Sequence, residues 1–189
     1  MAVLRVSGYP GSGKTTLCKR LAAELGYEYH YAGGIFRKMA QELGLSIEQF
    51  YEQISEDPSI ETTVDDRQAA IMMQSDNLIM EGRIAPFKPS PFRPCNILLT
   101  VAPREGARRQ LLRSENAQHS LEKMAAHTES RTETERAHYR SLYGINDHFG
   151  KQHFDIVIDT TELTRDEVFE QVMRELRDFL GISAAASRG

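Results

Sequence analysis

Apolar residues along the chain fall into short unbroken runs, separated by stretches in which they recur every three or four positions. Ala2 to Ser7 is the first run. It is broken only by Arg5 and closed by Gly8, which predicts a buried strand over 2–7. Behind it Leu17, Cys18, Leu21, Ala22 and Leu25 keep helical spacing, and Gly26 ends the helix. Tyr27–Tyr31, Leu78–Met80, Asn96–Val101 and Phe154–Ile158 predict four further strands. Helices are predicted over 34–43, 46–56, 59–76 and 164–180. Ser46 and either Asp57 or Ser59 serve as caps, and Thr164 with Glu167 forms a capping box. From Ile84 to Pro94 the chain carries Pro86, Pro89, Pro91 and Pro94, which removes backbone donors and predicts a loop. Pro103 suits a first helical turn. Residues 104–143 are helical in pattern but too polar for a core, so they read as an arm or lid over a cleft, with the lid at about 114–135.

Strands alternating with helices predict an α/β fold of three layers: a five-stranded parallel sheet covered on both faces. The 189 residues fit one domain, 1–182, followed by a fraying tail over 183–189. No repeat and no long linker interrupts it. The composition, 40% hydrophobic and 26% charged, is that of a globular protein. A net charge of −4 gives no general basic field, so nucleic acid is not an expected partner. No apolar run reaches the ~18 residues a membrane span needs, and the start lacks a signal-peptide pattern, so a cytoplasmic protein is expected; a monomer is the default expectation, with nothing in the sequence that reads the oligomeric state. Cys18 and Cys95 stand in apolar stretches outside any C-x-x-C pair and read as buried thiols. The six histidines show no metal spacing, and His119, His127, His148 and His153 read as surface residues.

Chemistry enters at Gly8-Tyr9-Pro10-Gly11-Ser12-Gly13-Lys14-Thr15, a complete G-x-x-x-x-G-K-[ST] with a strand before it and a helix behind it. Glycines let the backbone N–H groups curl inward around a phosphate chain, and the helix N-terminus adds partial positive charge. Gly8, Gly11, Ser12, Gly13, Lys14, Thr15 and Thr16 are therefore the expected ATP-binding residues. Lys14 reaches the β- and γ-phosphates, and the Thr15 hydroxyl ligates Mg²⁺. No N-K-x-D motif follows, which argues against a GTPase. Glu81-Gly82-Arg83 closes the third strand: Glu81 can hold Mg²⁺ through water, and Arg83 can face an anionic acceptor. A plain ion pair between Glu81 and Arg83 is the structural alternative.

Beyond this motif the chain resembles the cytidylate kinases, especially their short archaeal-type branch. The resemblance is carried by Tyr31-Ala32-Gly33-Gly34-Ile35-Phe36-Arg37-Lys38-Met39-Ala40, Asp57-Pro58-Ser59-Ile60-Glu61, Val64-Asp65-Asp66-Arg67 and Met80-Glu81-Gly82-Arg83. It continues through Ala102-Pro103, Arg131-Thr132-Glu133-Thr134-Glu135, Tyr139, Tyr143-Gly144-Ile145-Asn146 and Phe154 to Thr160, and so spans roughly residues 3–175. It implies ATP- and Mg²⁺-dependent phosphorylation of a nucleoside monophosphate, CMP or dCMP first. The acceptor would lie in a segment at about 32–76, with Gly33 close to it and Arg37 and Arg83 holding its phosphate. Arg131, Glu135 and His138 share one helix face. The resemblance gives the first the transferring phosphoryl group and the others the acceptor, with His138 where the family carries arginine. Arg136 or Arg140 could substitute for that arginine. Arg104, Arg108, Arg109 and Arg113 form a basic cluster, in which Arg109 or Arg113 could touch ATP. Asp57, Glu61, Asp65 and Asp66 form an acidic cluster, either a solvated face or a reader of the cytosine edge or ribose. Other readings are a P-loop kinase of another small acceptor, an ATP-binding regulatory protein with drifted acceptor chemistry, and, most remotely, RNA binding through the arginine cluster.

Overall fold

The computed structural model describes residues 2–46, 49–50, 52–53, 59–112 and 119–181. Five parallel strands form one sheet: β1 (Ala2–Gly8), β2 (Glu28–Tyr31), β3 (Asn77–Glu81), β4 (Pro94–Thr100) and β5 (Ile156–Asp159), in the order β2-β3-β1-β4-β5. β1 sits at the centre, with Leu4 paired to Ile79 on one side and Cys95 on the other. Being covered on both faces, it is buried from end to end, which is why its sequence runs apolar without alternating.

Residue alternation divides the core in two. Leu4, Val6, Ile79, Ile97, Leu99 and Ile158 face α1 (Lys14–Leu25) and the last helix, α6 (Arg165–Leu180), where Leu17, Leu21, Val172 and Leu176 meet them. Val3, Leu78 and Met80 point the other way, toward α2 (Ala32–Glu42) and α3 (Ser59–Met72), and pack with Ile35, Met39, Val64 and Met72. Cys18 and Cys95 are buried and free, as their apolar surroundings predict. The expected capping box is present: Thr164 Oγ1 accepts from Glu167 N, and Glu167 reaches back to Thr164 N at 2.8 Å.

Some boundaries differ from the sequence reading. α2 follows β2 without a connecting loop, so Gly33 and Gly34 lie in its first turn rather than ahead of it. A Cβ on Gly34 would stand 2.8 Å from the Tyr31 ring, so a larger residue there would need that ring to move. α3 ends at Met72, four residues before the expected Asp76. β4 begins at Pro94, two residues early; as the first residue of the strand, a proline costs the ladder little. The proline-rich stretch before it holds a 3-10 turn over Ala85–Phe87, whose Pro86 carbonyl accepts from buried Arg5 at 3.3 Å. Of the helix expected over 46–56, Ser46 shows the capping exchange with Gln49, while much of the remainder, like Asp57, lies outside the described residues. So do Arg113, most of residues 114–120 and the tail over 183–189.

The polar stretch 104–143 resolves into α4 (Pro103–Leu111) and the 23-residue α5 (Leu121–Tyr143), capped by Ser120. Gln110 of α4 donates to Thr128 of α5 at 3.0 Å, tying the pair together. His148 departs from its expected surface place. It is fully buried, its ring 4.1 Å from that of Phe149 and 5.0 Å from that of Tyr139. Among the described residues no helix is long and apolar enough to cross a membrane.

Candidate active site

The P-loop runs from the end of β1 to the start of α1, stretched across the carboxyl edge of the sheet. Gly11 and Gly13 take φ of 80° and 90°, a left-handed region open to glycine but strained for other residues. Gly13 caps α1 without a side-chain bond, so the helix's first N–H groups meet no side-chain acceptor and face any phosphate placed there. Gly11 also touches α4: a Cβ on it would stand 2.2 Å from the Gly106 carbonyl oxygen, and one on Gly106 would stand 2.8 Å from the Pro10 oxygen. Two glycines thus let the loop and the helix pack backbone against backbone.

Lys14 turns back on its own loop, donating to the carbonyls of Gly8 at 2.9 Å and Tyr9 at 3.0 Å. Burial pushes its ammonium down to about 7; Arg83 adds to the shift, and Glu81 and Glu135 oppose it. Thr15 Oγ1 donates to Glu81 Oε1 at 3.0 Å, and Tyr29 donates its hydroxyl to Glu81 Oε2. Glu81 therefore pairs with Thr15 and Tyr29, and Arg83 with Glu135, so the alternative Glu81–Arg83 ion pair is not what closes β3. Glu135 is shared: Arg131 Nε donates to its Oε1 at 2.9 Å while Arg83 Nε donates to Oε2. Burial pushes this carboxyl up, but the two guanidinium groups outweigh that and hold it below the usual carboxylate range. Arg83 also lies over the Phe149 ring at 5.5 Å, and Phe149 stacks on Tyr9 of the P-loop at 4.3 Å.

Three cavities adjoin at this centre. One, of about 460 Å³, lies outside the P-loop against Leu17, Leu163 and Phe169. A second, of about 230 Å³, shares Gly11, Gly13 and Thr16 with the first. A third, of about 360 Å³, shares Lys14, Glu81, Arg83 and Arg131 with the second. The third is chemically graded. Cations stand at its P-loop end; Tyr31, Phe36 and Tyr139 line it, as do buried Asp65 and Gln68.

Most of the expected site residues meet here. Lys14, Thr15, Glu81, Arg83 and Arg131 line the middle cavity, and Gly33 and Glu135 line the third. Gly8 and Ser12 are buried in the loop itself. Arg37 lies outside the lining but donates to the hydroxyl of Tyr31, which is part of it, at 2.6 Å. His138 lines none of the three cavities; the next residue, Tyr139, lines the third. Arg136 pairs with Glu133 and Asp147 instead of facing a cavity. Arg108 and Arg109 border the first cavity, where both bond Glu105 and Arg109 also bonds Thr160. Of the acidic cluster, Asp65 is buried and Asp66 is exposed near Lys88. Glu61's side chain lies outside what is described.

Sequence reasoning missed Gly106, Gln68 and Phe149. Gly106 carries a signal, since a glycine inside a polar helix costs about 1 kcal/mol relative to alanine and asks for a packing reason. Gln68 and Phe149 give no such signal.

Comparison with known proteins decides the family. The chain is 34% identical over 176 residues to the cytidylate kinase of Ignicoccus hospitalis, covering 93% of this chain and 99% of that protein. The chain belongs to the cytidylate kinase family. Its members from Methanopyrus kandleri and Thermococcus kodakarensis are 32% and 35% identical, each over 88% of this chain and over 89% and 83% of their own lengths. An AAA domain model matches residues 5–134. Solved structures extend the likeness of fold. A shikimate kinase from Bacteroides thetaiotaomicron superposes with a TM-score of 0.65 at 15% identity, over 96% of this chain and 99% of its own. A gluconokinase from Sinorhizobium meliloti gives 0.56 at 14%, over 94% and 93%. The architecture is thus that of P-loop kinases, and the family is that of phosphotransferases.

Proposed function

We propose that this chain transfers the γ-phosphoryl group of ATP to a nucleoside monophosphate, CMP or dCMP by preference. The observation that carries the proposal is the joined row of cavities, in which Lys14, Glu81, Arg83 and Arg131 form the wall common to the P-loop and the graded third cavity. A nucleotide's phosphate suits the cationic end, and its base suits the aromatic and polar walls. The cytidylate kinase relatives supply the preference for cytosine.

ATP phosphates would sit on the N–H groups of the loop and the start of α1, with Lys14 leaving the Gly8 and Tyr9 carbonyls to reach them. Thr15 and Glu81 present hard oxygen donors side by side, a set that suits Mg²⁺. When bound, the metal supplies positive charge to the phosphate oxygens. Arg83, with Arg37 at the rim, would hold the acceptor's phosphate in the planar two-point fashion that a guanidinium allows. An oxygen of that phosphate forms a bond to the γ-phosphorus as the bond to ADP breaks, so no covalent enzyme intermediate is needed. Arg131 and Lys14 spread the charge on the group in transit. Glu135 must give up part of its hold on both arginines, which ties their release to the arrival of substrate. Closure of α5 over the cleft would keep water from consuming ATP. A reaction that draws on ATP suits the cytoplasm, which is the location we propose.

The test is ADP release from Mg·ATP with CMP, dCMP, UMP, AMP, GMP or shikimate as acceptor. Strong stimulation by CMP or dCMP is expected, with turnover abolished in Lys14→Ala. Stimulation by shikimate alone would move the chain to another acceptor class. ATP binding with no stimulation by any acceptor would favour a regulatory nucleotide-binding role and overturn the kinase reading.

A further inference from the structure

We infer that Gln68, locked in one orientation by Asp65, reads the acceptor base and admits an amino-pyrimidine in preference to its keto counterpart. The inference rests on the nucleotide reading of the third cavity and adds to it the residues that choose the base.

Both side chains are buried, Gln68 at 1% exposure and Asp65 at 5%, and both line the third cavity. Gln68 Nε2 donates to Asp65 Oδ1 at 2.9 Å, and the Tyr143 hydroxyl donates to Asp65 Oδ2 at 2.7 Å. An ionised carboxylate only accepts hydrogen bonds, so the nitrogen of the amide must be the end that faces Asp65. Turning the amide over would set its oxygen against that carboxylate. Tyr143, from the C-terminal end of α5, fixes the carboxylate in turn. Gln68 Oε1 is buried and has no hydrogen-bond partner among the described residues. Leaving a buried acceptor unpaired is unfavourable, so the amide is set up for a ligand that donates to it. Room for this arrangement depends on Gly82, where a Cβ would stand 2.5 Å from Oε1.

The locked amide offers one acceptor, Oε1, beside one remaining N–H on Nε2. Cytosine presents the complement: its exocyclic amino group donates and the adjacent ring N3 accepts. Uracil presents the reverse, a carbonyl oxygen beside a ring N–H, and pairing with it needs the flip that Asp65 opposes. A site whose buried polar groups pair with one base and are left unpaired by the other discriminates strongly. Tyr31, Phe36 and Tyr139 line the same cavity and suit the faces of either base, so the choice falls to the polar edge.

The experiment compares kcat/KM for CMP and UMP in the wild type, in Asp65→Asn and in Gln68→Met. The wild type is expected to favour CMP by tenfold or more. Asp65→Asn can donate to the turned amide, so the CMP/UMP ratio should fall at least tenfold, through KM more than kcat. Gln68→Met keeps the volume, removes the reader and should bring the ratio near one; it decides the matter if Asp65→Asn does not fold, as judged by its thermal transition. A wild type that prefers CMP while both folded variants keep its ratio would overturn the inference and leave the kinase reading standing. Equal use of CMP and UMP by the wild type would do the same. No phosphorylation of any nucleoside monophosphate would overturn both.

Discussion

At the scale of single residues, the contact between Gly11 and Gly106 shows how a helix position can serve the nucleotide loop without touching nucleotide. Replacing an interior helix glycine by alanine ordinarily stabilises by about 1 kcal/mol. In Gly106→Ala the new methyl would stand 2.8 Å from the Pro10 oxygen and 3.1 Å from Val101 Cγ1. The first of these is backbone, which cannot swing aside. Overpacking of this kind costs about 1–3 kcal/mol and outweighs the gain in helix propensity. Gly106→Ala is therefore expected to lower the thermal midpoint and raise KM for ATP several-fold, with little change in KM for the acceptor. A stabilised variant with unchanged ATP kinetics would show that the loop has room to spare. The same residue marks a limit of sequence reading. The P-loop was legible because each of its glycines has a known backbone task, whereas the task of Gly106 depends on a loop almost a hundred residues away.

Among the elements, α6 shows local sequence setting local structure. Thr164 and Glu167 satisfy each other's backbone N–H groups, and Val168, Phe169, Val172, Met173 and Leu176 form the buried stripe behind them. Thr164→Ala removes the hydroxyl that accepts from Glu167 N, and a lost threonine cap costs about 1 kcal/mol. A urea titration should show that loss as a lower midpoint at unchanged slope. A changed slope would point instead to loss of two-state unfolding. The five strands and α6 could be read from the sequence because each carries its own periodicity and punctuation. The start of α2 could not. Helix after strand without a loop brings Gly34 against the Tyr31 ring, a contact no pattern encodes. In the site, the P-loop, Glu81 and Arg83 stood out as charged or glycine positions at strand and helix ends, and Arg131, mid-helix in α5, stood out only through the family resemblance. Gln68 and Phe149 did not, because their roles come from the juxtaposition of α3, α5 and the segment before β5. His138 lines none of the three cavities. Spacing placed it on the face of Arg131 and Glu135, but Tyr139 is the residue that lines the cavity.

For the molecule as a whole, the rings of Tyr9, Phe149, His148 and Tyr139 form a continuous chain of contacts, stacked, tilted and edge-on in turn, joining the P-loop to the lid-side helix through the segment before β5. His148 is the member of that chain of contacts whose unfolded form gains a proton near neutral pH, and it makes folding sensitive to acid. Burial pushes its imidazole down to about 4; Arg83 and Arg136 add to the shift, and Glu135 and Asp147 oppose it. In the unfolded chain the same group titrates near 6.5. Between those values the unfolded state binds the extra proton and the folded state does not, so stability falls as the pH is lowered. Above about pH 6.5 the effect vanishes, and at pH 4 it reaches on the order of 2–3 kcal/mol. Carboxylates held low by their partners, such as Glu135 and Asp159, act in a separate window, losing their contribution only below about pH 4.5. The two effects can therefore be told apart. Between pH 7 and pH 5 the thermal midpoint of the wild type should drop by about 4–6 °C, at the roughly 2–4 °C per kcal/mol expected of a chain this size. His148→Phe keeps a ring in that chain of contacts and carries no proton, so its midpoint should stay nearly flat over that interval and fall only below pH 4.5. Parallel curves for the two proteins down to pH 5 would mean that His148 titrates alike in the folded and unfolded states, and the acid sensitivity would then belong to other groups.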